Sequence, residues 1–160
     1  MDYGFLDGSD KKQKAVEDTI ATWVKYANIE FVKRSDASQA IIRVSFAGQG
    51  SWSMVGTDAN TVADKAKPTL NLGWLADRNP PSAEDRATIL HEFGHALGMM
   101  HEHQSPARGE RITLKELEVY RYYRPLLNND DRLVKSQIID VYNLSTVSNF
   151  SHLDLKSIMM

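Results

Sequence analysis

The chain has 160 residues, of which 42% are hydrophobic and 25% are charged, a balance typical of one ordinary globular domain. Its 19 Lys and Arg residues against 21 Asp and Glu residues give a formal net charge of −2, which argues against a nucleic-acid-binding function because such proteins carry a basic surplus. The sequence contains no cysteine, so disulfides are excluded and any metal site must use His, Asp or Glu.

Neither a membrane span nor a signal peptide is predicted within this sequence. No segment approaches the roughly 18 consecutive apolar residues that a spanning helix needs. The segment Met1 to Phe5 lacks both the basic start and the long apolar run of a signal peptide.

The first predicted helix runs from about Asp10 to Ala27. Asp10 is the expected N-cap, with Gln13 three residues later in the position of a capping box. The apolar residues that share one face at helical spacing are Val16, Ile20, Trp23, Val24 and Ala27.

Strands are predicted next, because apolar residues occupy every second position. The short run Ile29 to Val32 precedes three such segments, which are centred on Val44, Trp52–Met54 and Leu72. The polar segment Gly56 to Lys67 is predicted to be a surface loop. Helices packed on a sheet of these strands give a layered α+β domain.

A second helix is predicted after Asn79-Pro80-Pro81. Ser82 is a favourable N-cap, and the acidic Glu84 and Asp85 suit the positive end of the helix dipole. Gly98 is expected to end the helix in a left-handed conformation. The apolar residues that recur every four positions and are expected to face the core are Ile89, Phe93 and Leu97.

The second half of the chain gives weaker signals. A capping box of Thr113 and Glu116 predicts a helix through about Tyr123. Another helix is predicted over about Asp131 to Val141, and the stretch Tyr142 to Lys156 is expected to be irregular.

The second predicted helix carries most of the candidate functional residues. His91 and His95 are four residues apart, so their imidazoles project from almost the same side, one turn apart. Gly98 allows a sharp turn that can bring His101 to the same point. Three neutral nitrogen ligands with one open position are typical of a catalytic zinc centre. The following His103 is either a fourth ligand or, as an open site favours, a neighbouring residue.

The position of Glu92 predicts the reaction class. It lies one step round the helix from His91, beside the expected ion. Zinc lowers the pKa of bound water to about 7, and Glu92 is the natural general base for that water. The residues therefore predict metal-assisted amide hydrolysis, without a covalent intermediate.

The motif resembles that of a known family. HExxHxxGxxH, formed by His91 to His101, is the metzincin zinc signature, and the continuation His101 to Pro106 resembles the astacin-type branch, especially its bacterial and fungal members. The resemblance extends over nearly the whole chain. It implies a zincin fold of class α+β, with a twisted mixed sheet of about four to five strands, two long helices and a looser C-terminal lobe.

The resemblance also implies roles for individual residues. It makes His91, His95 and His101 the zinc ligands and Glu92 the general base of a zinc-dependent endopeptidase that cleaves extended polypeptides. Met159 would be the methionine of the Met-turn beneath the metal. The expected substrate-binding residues, on an upper-rim strand that pairs with the substrate, are Ser51, Trp52, Ser53 and Met54.

The resemblance further predicts one catalytic domain over residues 1–160, with an upper lobe 1–98 and a lower lobe 99–160 that is cut short just after the Met-turn. The family places a tyrosine two residues after the Met-turn methionine, and the chain ends at Met160. The alternative is therefore a catalytically inactive zinc-binding or protein-interaction module with the same fold. Family resemblance favours secretion to the extracellular space, and oligomeric state stays open.

Overall fold

The structure, a computed structural model, describes residues 1–108, 112–143, 147 and 152–160. The chain forms two compact units, Met1–Met99 and Met100–Met160. Among the described residues, none of the helices has the length and apolar character that a membrane crossing requires.

The first unit contains one mixed five-stranded sheet. Its strands are β1 (Asp2–Phe5), β2 (Val32–Lys33), β3 (Ile42–Ser45), β4 (Ser51–Ser53) and β5 (Leu70–Leu72). Their order in space is β2-β1-β3-β5-β4, and only β4 is antiparallel to its neighbour. This mixed sheet, with its helices, confirms the predicted α+β class.

Two of the three inner strands, β3 and β5, are buried along their whole length, although their sequences alternate between apolar and polar residues. Buried Arg43 donates hydrogen bonds to the main-chain oxygens of Lys67 (2.8 Å), Ala40 (3.2 Å) and Val62 (3.3 Å). Parallel strands that are covered on both faces have no solvent face for such groups, so each polar side chain needs a partner inside the protein.

Strand β1 was not predicted from the sequence. It is short and contains Gly4, a residue that weakens a strand prediction. Here the glycine is needed, because a Cβ at this position would lie 2.7 Å from the Cα of Ala37. Tyr3 of this strand pairs with Ile42 of β3 and is buried.

The first helix, α1, spans Asp10–Ile20 and is shorter than predicted. Ser9, rather than Asp10, is the N-cap and accepts a hydrogen bond from the Lys12 N–H. The predicted continuation to Ala27 is wrong: a single 3₁₀ turn covers Trp23–Lys25, and Val24 is half exposed. Threonine, isoleucine and valine residues cluster at this end and lower its helix propensity.

The second helix, α2, spans Ala83–Ala96, and the prediction of its start is confirmed. Ser82 accepts from the Asp85 N–H at 3.0 Å, and the Asp85 carboxylate accepts from the Ser82 N–H at 3.1 Å, which forms a capping box. This helix and α1 pack on the sheet around one apolar core, which comprises Tyr3, Val16, Ile20, Ile42, Val44, Phe46, Leu70, Leu72, Leu75, Ile89, Phe93 and Ala96.

The polar segment predicted as a loop contains a 3₁₀ helix over Gly56–Thr61. The rest of this segment, Val62 to Lys67, contains neither a strand nor an α-helix.

The second unit consists of short helical segments. The third helix, α3, spans Glu116–Tyr123, with Lys115 as N-cap. The predicted cap by Thr113 is wrong because the helix starts later, and no side chain caps it; the Lys115 carbonyl accepts from Glu118 and Val119 N–H groups.

The fourth helix, α4, spans only Asp131–Val134, capped by Asp130. A wider π-helical turn follows over Lys135–Ile139, where the Asp140 N–H donates to the Lys135 carbonyl. The α-helix predicted to Val141 therefore ends early. Of the predicted irregular stretch, residues 144–146 and 148–151 lie outside the described residues.

Candidate metal centre

His91 and His95 lie on the last turns of α2. Their ring centroids are 4.7 Å apart with perpendicular planes, as expected for side chains one helical turn apart. Ile89 and Phe93 of the same helix are fully buried in the core, which fixes the rotation of α2 about its axis. The core thus determines the direction in which the two imidazoles point.

A Schellman motif ends this helix. The Gly98 N–H donates to the His95 carbonyl at 2.8 Å, and the Met99 N–H donates to the Gly94 carbonyl at 3.0 Å. Gly98 has φ of +96°, a conformation that glycine adopts without strain. The sequence-based prediction for Gly98 is confirmed.

The chain reverses at this turn and reaches His101, whose backbone is extended. One ligand atom from each of His91, His95 and His101 lies within 4.8 Å of the others. The three imidazoles predicted from the motif are therefore brought together, and nitrogen donors of this kind suit Zn²⁺.

Each of two rings also makes a hydrogen bond through its other nitrogen. The His95 Nδ1 lies 2.8 Å from the Met99 carbonyl oxygen, and the His101 Nδ1 lies 3.1 Å from Gln104 Oε1. Such contacts leave Nε2 of each ring for a metal and fix the ring orientation. Burial lowers the pKa of His95, which favours the neutral imidazole that a metal requires.

Glu92 follows His91 in the sequence and is buried, with 6% of its surface exposed. Its Oε2 has no hydrogen-bond partner among the described residues. Burial raises the pKa of this carboxyl to about 8, because the charged form is poorly solvated inside the protein. A cation close to the carboxylate opposes that shift, so the side chain suits a site that holds a metal.

The residues after His101 connect it to the end of the chain within the second unit. The Glu102 N–H donates to the Met159 carbonyl at 2.8 Å, and Met159 is buried, with 3% of its surface exposed. The Glu102 carboxylate accepts from the Asp154 N–H at 3.1 Å. His103 stacks on His101, with ring centroids 5.1 Å apart, and its Nε2 lies 2.9 Å from the Ile138 carbonyl oxygen.

The predicted substrate-binding residues lie on and just after β4, at one edge of the sheet. Gly50 and Met54 make main-chain hydrogen bonds towards β5. Since bonding alternates along an antiparallel pair, the main-chain groups of Ser51 and Ser53 point to the opposite side, where no further strand is described. Helix α2 packs against this strand.

Sequence reasoning missed Gln104 as a contact of His101. The glutamine side chain is fully buried and bonds to Ser136, Asp140 and Tyr142. No local pattern predicts contacts with residues more than 30 positions away along the chain.

Comparison with known proteins identifies the family. The model of the peptidase family Astacin matches residues 1–159. The chain belongs to the astacin family. Its relatives include zinc metalloproteinase nas-19 of Caenorhabditis elegans, with 29% identity over 108 residues, which is 68% of this chain and 26% of that protein. Human Tolloid-like protein 1 is 27% identical over 92 residues, which is 58% of this chain and 8% of that protein.

Among solved structures, that of myroilysin superposes with a TM-score of 0.85 and 33% identity, over 99% of this chain and 75% of that one. This match agrees with the mixed-sheet metzincin fold expected from the sequence. The chain thus spans about a quarter of the length of nas-19 and most of the myroilysin chain. Membership of the astacin family, together with the three converging histidines, identifies zinc as the cofactor.

Proposed function

We propose that this chain is the catalytic domain of a zinc-dependent endopeptidase, in which His91, His95 and His101 hold the metal and Glu92 is the general base. The observation that carries the proposal is the buried carboxylate of Glu92, which directly follows the first of the three converging histidines. One of its oxygens, Oε2, has no hydrogen-bond partner among the described residues. A purely structural zinc site has no use for such a group, and its burial is costly unless a charge or proton offsets it.

The donor set fits a catalytic zinc ion. Three imidazoles leave one coordination position for water or substrate, whereas structural sites are closed by four protein ligands. When bound, zinc supplies a Lewis acid that activates water and polarises the scissile carbonyl.

Glu92 performs the proton transfers in this proposal. As water attacks the carbonyl carbon, the Glu92 carboxylate accepts one of its protons. The carboxylic acid then gives this proton to the amine nitrogen as the C–N bond breaks, so that one water is consumed and the carboxylate is regenerated. Burial raises the pKa of this carboxyl and a nearby cation lowers it, and these opposing effects suit a group that must both accept and release a proton.

Met159 is proposed as the Met-turn residue. Its burial, and the hydrogen bond from the Glu102 N–H to its carbonyl, support a position for its backbone next to the residue that follows His101. This role follows the family resemblance, and we expect a Met159→Ala variant to bind zinc more weakly than wild type.

The extended substrate is proposed to bind along β4 as an added strand. Ser51 and Ser53 present main-chain groups at the free edge among the described residues, while Trp52 is 41% exposed and Met54 follows the strand. Main-chain pairing of this kind accommodates many sequences, as expected for an endopeptidase.

A pair of substitutions at one position tests this binding mode. Ser53→Pro removes the N–H group that faces the edge, and Ser53→Ala keeps it. We expect a raised KM for the proline variant only. An equal KM in both variants would contradict strand addition at this position.

The activity itself is tested with Glu92→Gln, which preserves shape but removes the base. We expect wild-type protein to cleave a denatured protein in a chelator-sensitive manner, and the variant to be slower by about 10²–10⁴-fold with unchanged zinc content. Equal cleavage by both proteins would refute the role of Glu92. A zinc-loaded but inert wild type would instead support the alternative, a non-catalytic binding module.

Export from the producing cell is proposed from the family resemblance alone. Fractionation of a producing culture tests it: the protein should be found in the medium, and retention in the cells would contradict the proposal.

A further inference from the structure

Gln104 is a fully buried polar side chain whose every hydrogen-bonding position has a partner. Its Nε2 donates to the main-chain oxygens of Ser136 at 3.1 Å and Asp140 at 2.9 Å. Its Oε1 accepts from the Tyr142 hydroxyl at 3.0 Å and lies 3.1 Å from His101 Nδ1. All of these residues belong to the second unit, Met100–Met160.

The two carbonyl oxygens determine which way the amide faces. Carbonyl groups accept hydrogen bonds only, so the amide end next to Ser136 and Asp140 must be the NH₂ group. The other end is then the oxygen, which cannot donate. The atom of His101 that contacts this oxygen must therefore carry a proton.

These hydrogen bonds fix the tautomer of His101, a candidate metal ligand, through groups that lie more than 30 positions away in the sequence. The proton of neutral His101 lies on Nδ1, and the lone pair lies on Nε2. A neutral imidazole in water prefers the opposite tautomer, with the proton on Nε2, which would have to be rearranged before that nitrogen binds a metal. We propose that Gln104 is a positioning residue that holds His101 in the tautomer and ring orientation required for zinc binding.

The proposal deepens the zinc site described under the proposed function and rests on it. Gln104 touches neither substrate nor metal in this account and acts only through His101. His95 has a comparable contact with the Met99 carbonyl oxygen, but a main-chain oxygen cannot be removed by substitution. The Gln104 side chain can be substituted, so its effect on His101 can be measured. Loss of such an outer contact typically weakens metal affinity by about 10–100-fold.

Three variants separate positioning from structural support. Gln104→Met keeps the approximate size but loses every hydrogen bond. Gln104→Glu keeps an acceptor for His101 but loses the amide donor to the two carbonyls. Tyr142→Phe removes only one bond to the same Oε1 and leaves the His101 contact in place.

The first measurement is ¹⁵N NMR of the histidine ring nitrogens in metal-free protein at a pH where histidines are neutral, with His101 assigned by a His101→Asn variant. Wild type, Tyr142→Phe and Gln104→Glu should show the proton of His101 on Nδ1. Gln104→Met should move it towards Nε2. A wild-type His101 that carries its proton on Nε2 would overturn the proposal, even if every variant failed to fold.

The second measurement is zinc affinity by competition with a chromogenic chelator, together with unfolding by urea. We expect Gln104→Met to bind zinc about 10–100-fold more weakly than Tyr142→Phe. Equal affinities, with only stability reduced in Gln104→Met, would show a purely structural role and overturn the proposal. The tautomer is measured without metal, so the NMR result does not depend on the proposed function. Failure of the proposed function would appear separately, as a wild type that binds no zinc or cleaves no substrate.

Discussion

Gly56 lies so close to Gly98 that a Cβ on Gly56 would be 3.2 Å from the Gly98 Cα. Both residues have positive φ, +51° for Gly56 and +96° for Gly98. Gly56 follows the edge strand β4 by three residues, and Gly98 forms the turn between His95 and His101. The loop after the proposed substrate strand therefore supports the turn that delivers the third histidine.

We expect Gly56→Ala to lower the free energy of unfolding by about 1–3 kcal/mol through backbone strain and to weaken zinc binding by displacing the Gly98 turn. Gly50→Ala is a matched control, since Gly50 also has a positive φ (+75°) but its Cβ would only touch Trp74 at an ordinary 3.6 Å. Denaturant unfolding and zinc competition measure the two effects. If both variants bound zinc equally well, contact between the two glycines would have no influence on the metal site.

Ser82→Ala should destabilise α2 without disturbing the ligands at its other end. The substitution removes the acceptor for the Asp85 N–H, which typically costs about 1 kcal/mol. Ser82→Thr keeps a capping hydroxyl and should lose much less. Zinc content should equal that of wild type in both variants. A Ser82→Ala protein as stable as wild type would contradict the importance of the capping box.

We expect ionisation of the Tyr3 hydroxyl to lower the free energy of unfolding at alkaline pH. Burial, with a smaller contribution from Glu17, raises the pKa of its hydroxyl to about 12, above the ordinary value of 10.0. The folded state therefore holds the proton more tightly than the unfolded state, and the free energy of unfolding falls as the pH rises from about 10 to 12.

Tyr3→Phe removes this titration and keeps the ring, so the difference between wild type and variant should change over that pH range and stay constant below it. Urea unfolding at several pH values measures the difference. A constant difference across the whole range would refute the raised pKa.

Zinc should be lost at acidic pH, because protons compete with the metal for the histidine ligands, which must be neutral to bind it. Metal content after dialysis at a series of pH values gives the release curve, and circular dichroism at each pH checks that the chain is still folded. Release is expected before unfolding. Metal content that stayed constant down to about pH 4 would contradict ligation by three histidines.

The sequence allowed prediction of features that depend on local patterns. The Ser82 cap, the position of Gly98 and the convergence of His91, His95 and His101 follow from spacing along one helix and the turn that ends it. These are interactions over a few residues, which a motif records directly.

Features that depend on distant contacts could not be predicted. Strand β1 lies so close to Ala37 that only a glycine fits at position 4, and this contact joins residues more than 30 positions apart. Arg43 looks like a surface residue of an alternating strand, yet it is fully buried because three loop carbonyls accept its hydrogen bonds.

Zinc X-ray absorption spectroscopy on the metal-loaded protein measures the coordination of zinc by His91, His95 and His101 itself. We predict scattering from three imidazole nitrogens at about 2.0–2.1 Å, with a further light-atom ligand in the open position, and the loss of one imidazole in His101→Ala. A wild-type spectrum with fewer than three imidazoles, or one that His101→Ala leaves unchanged, would refute zinc binding by the three histidines.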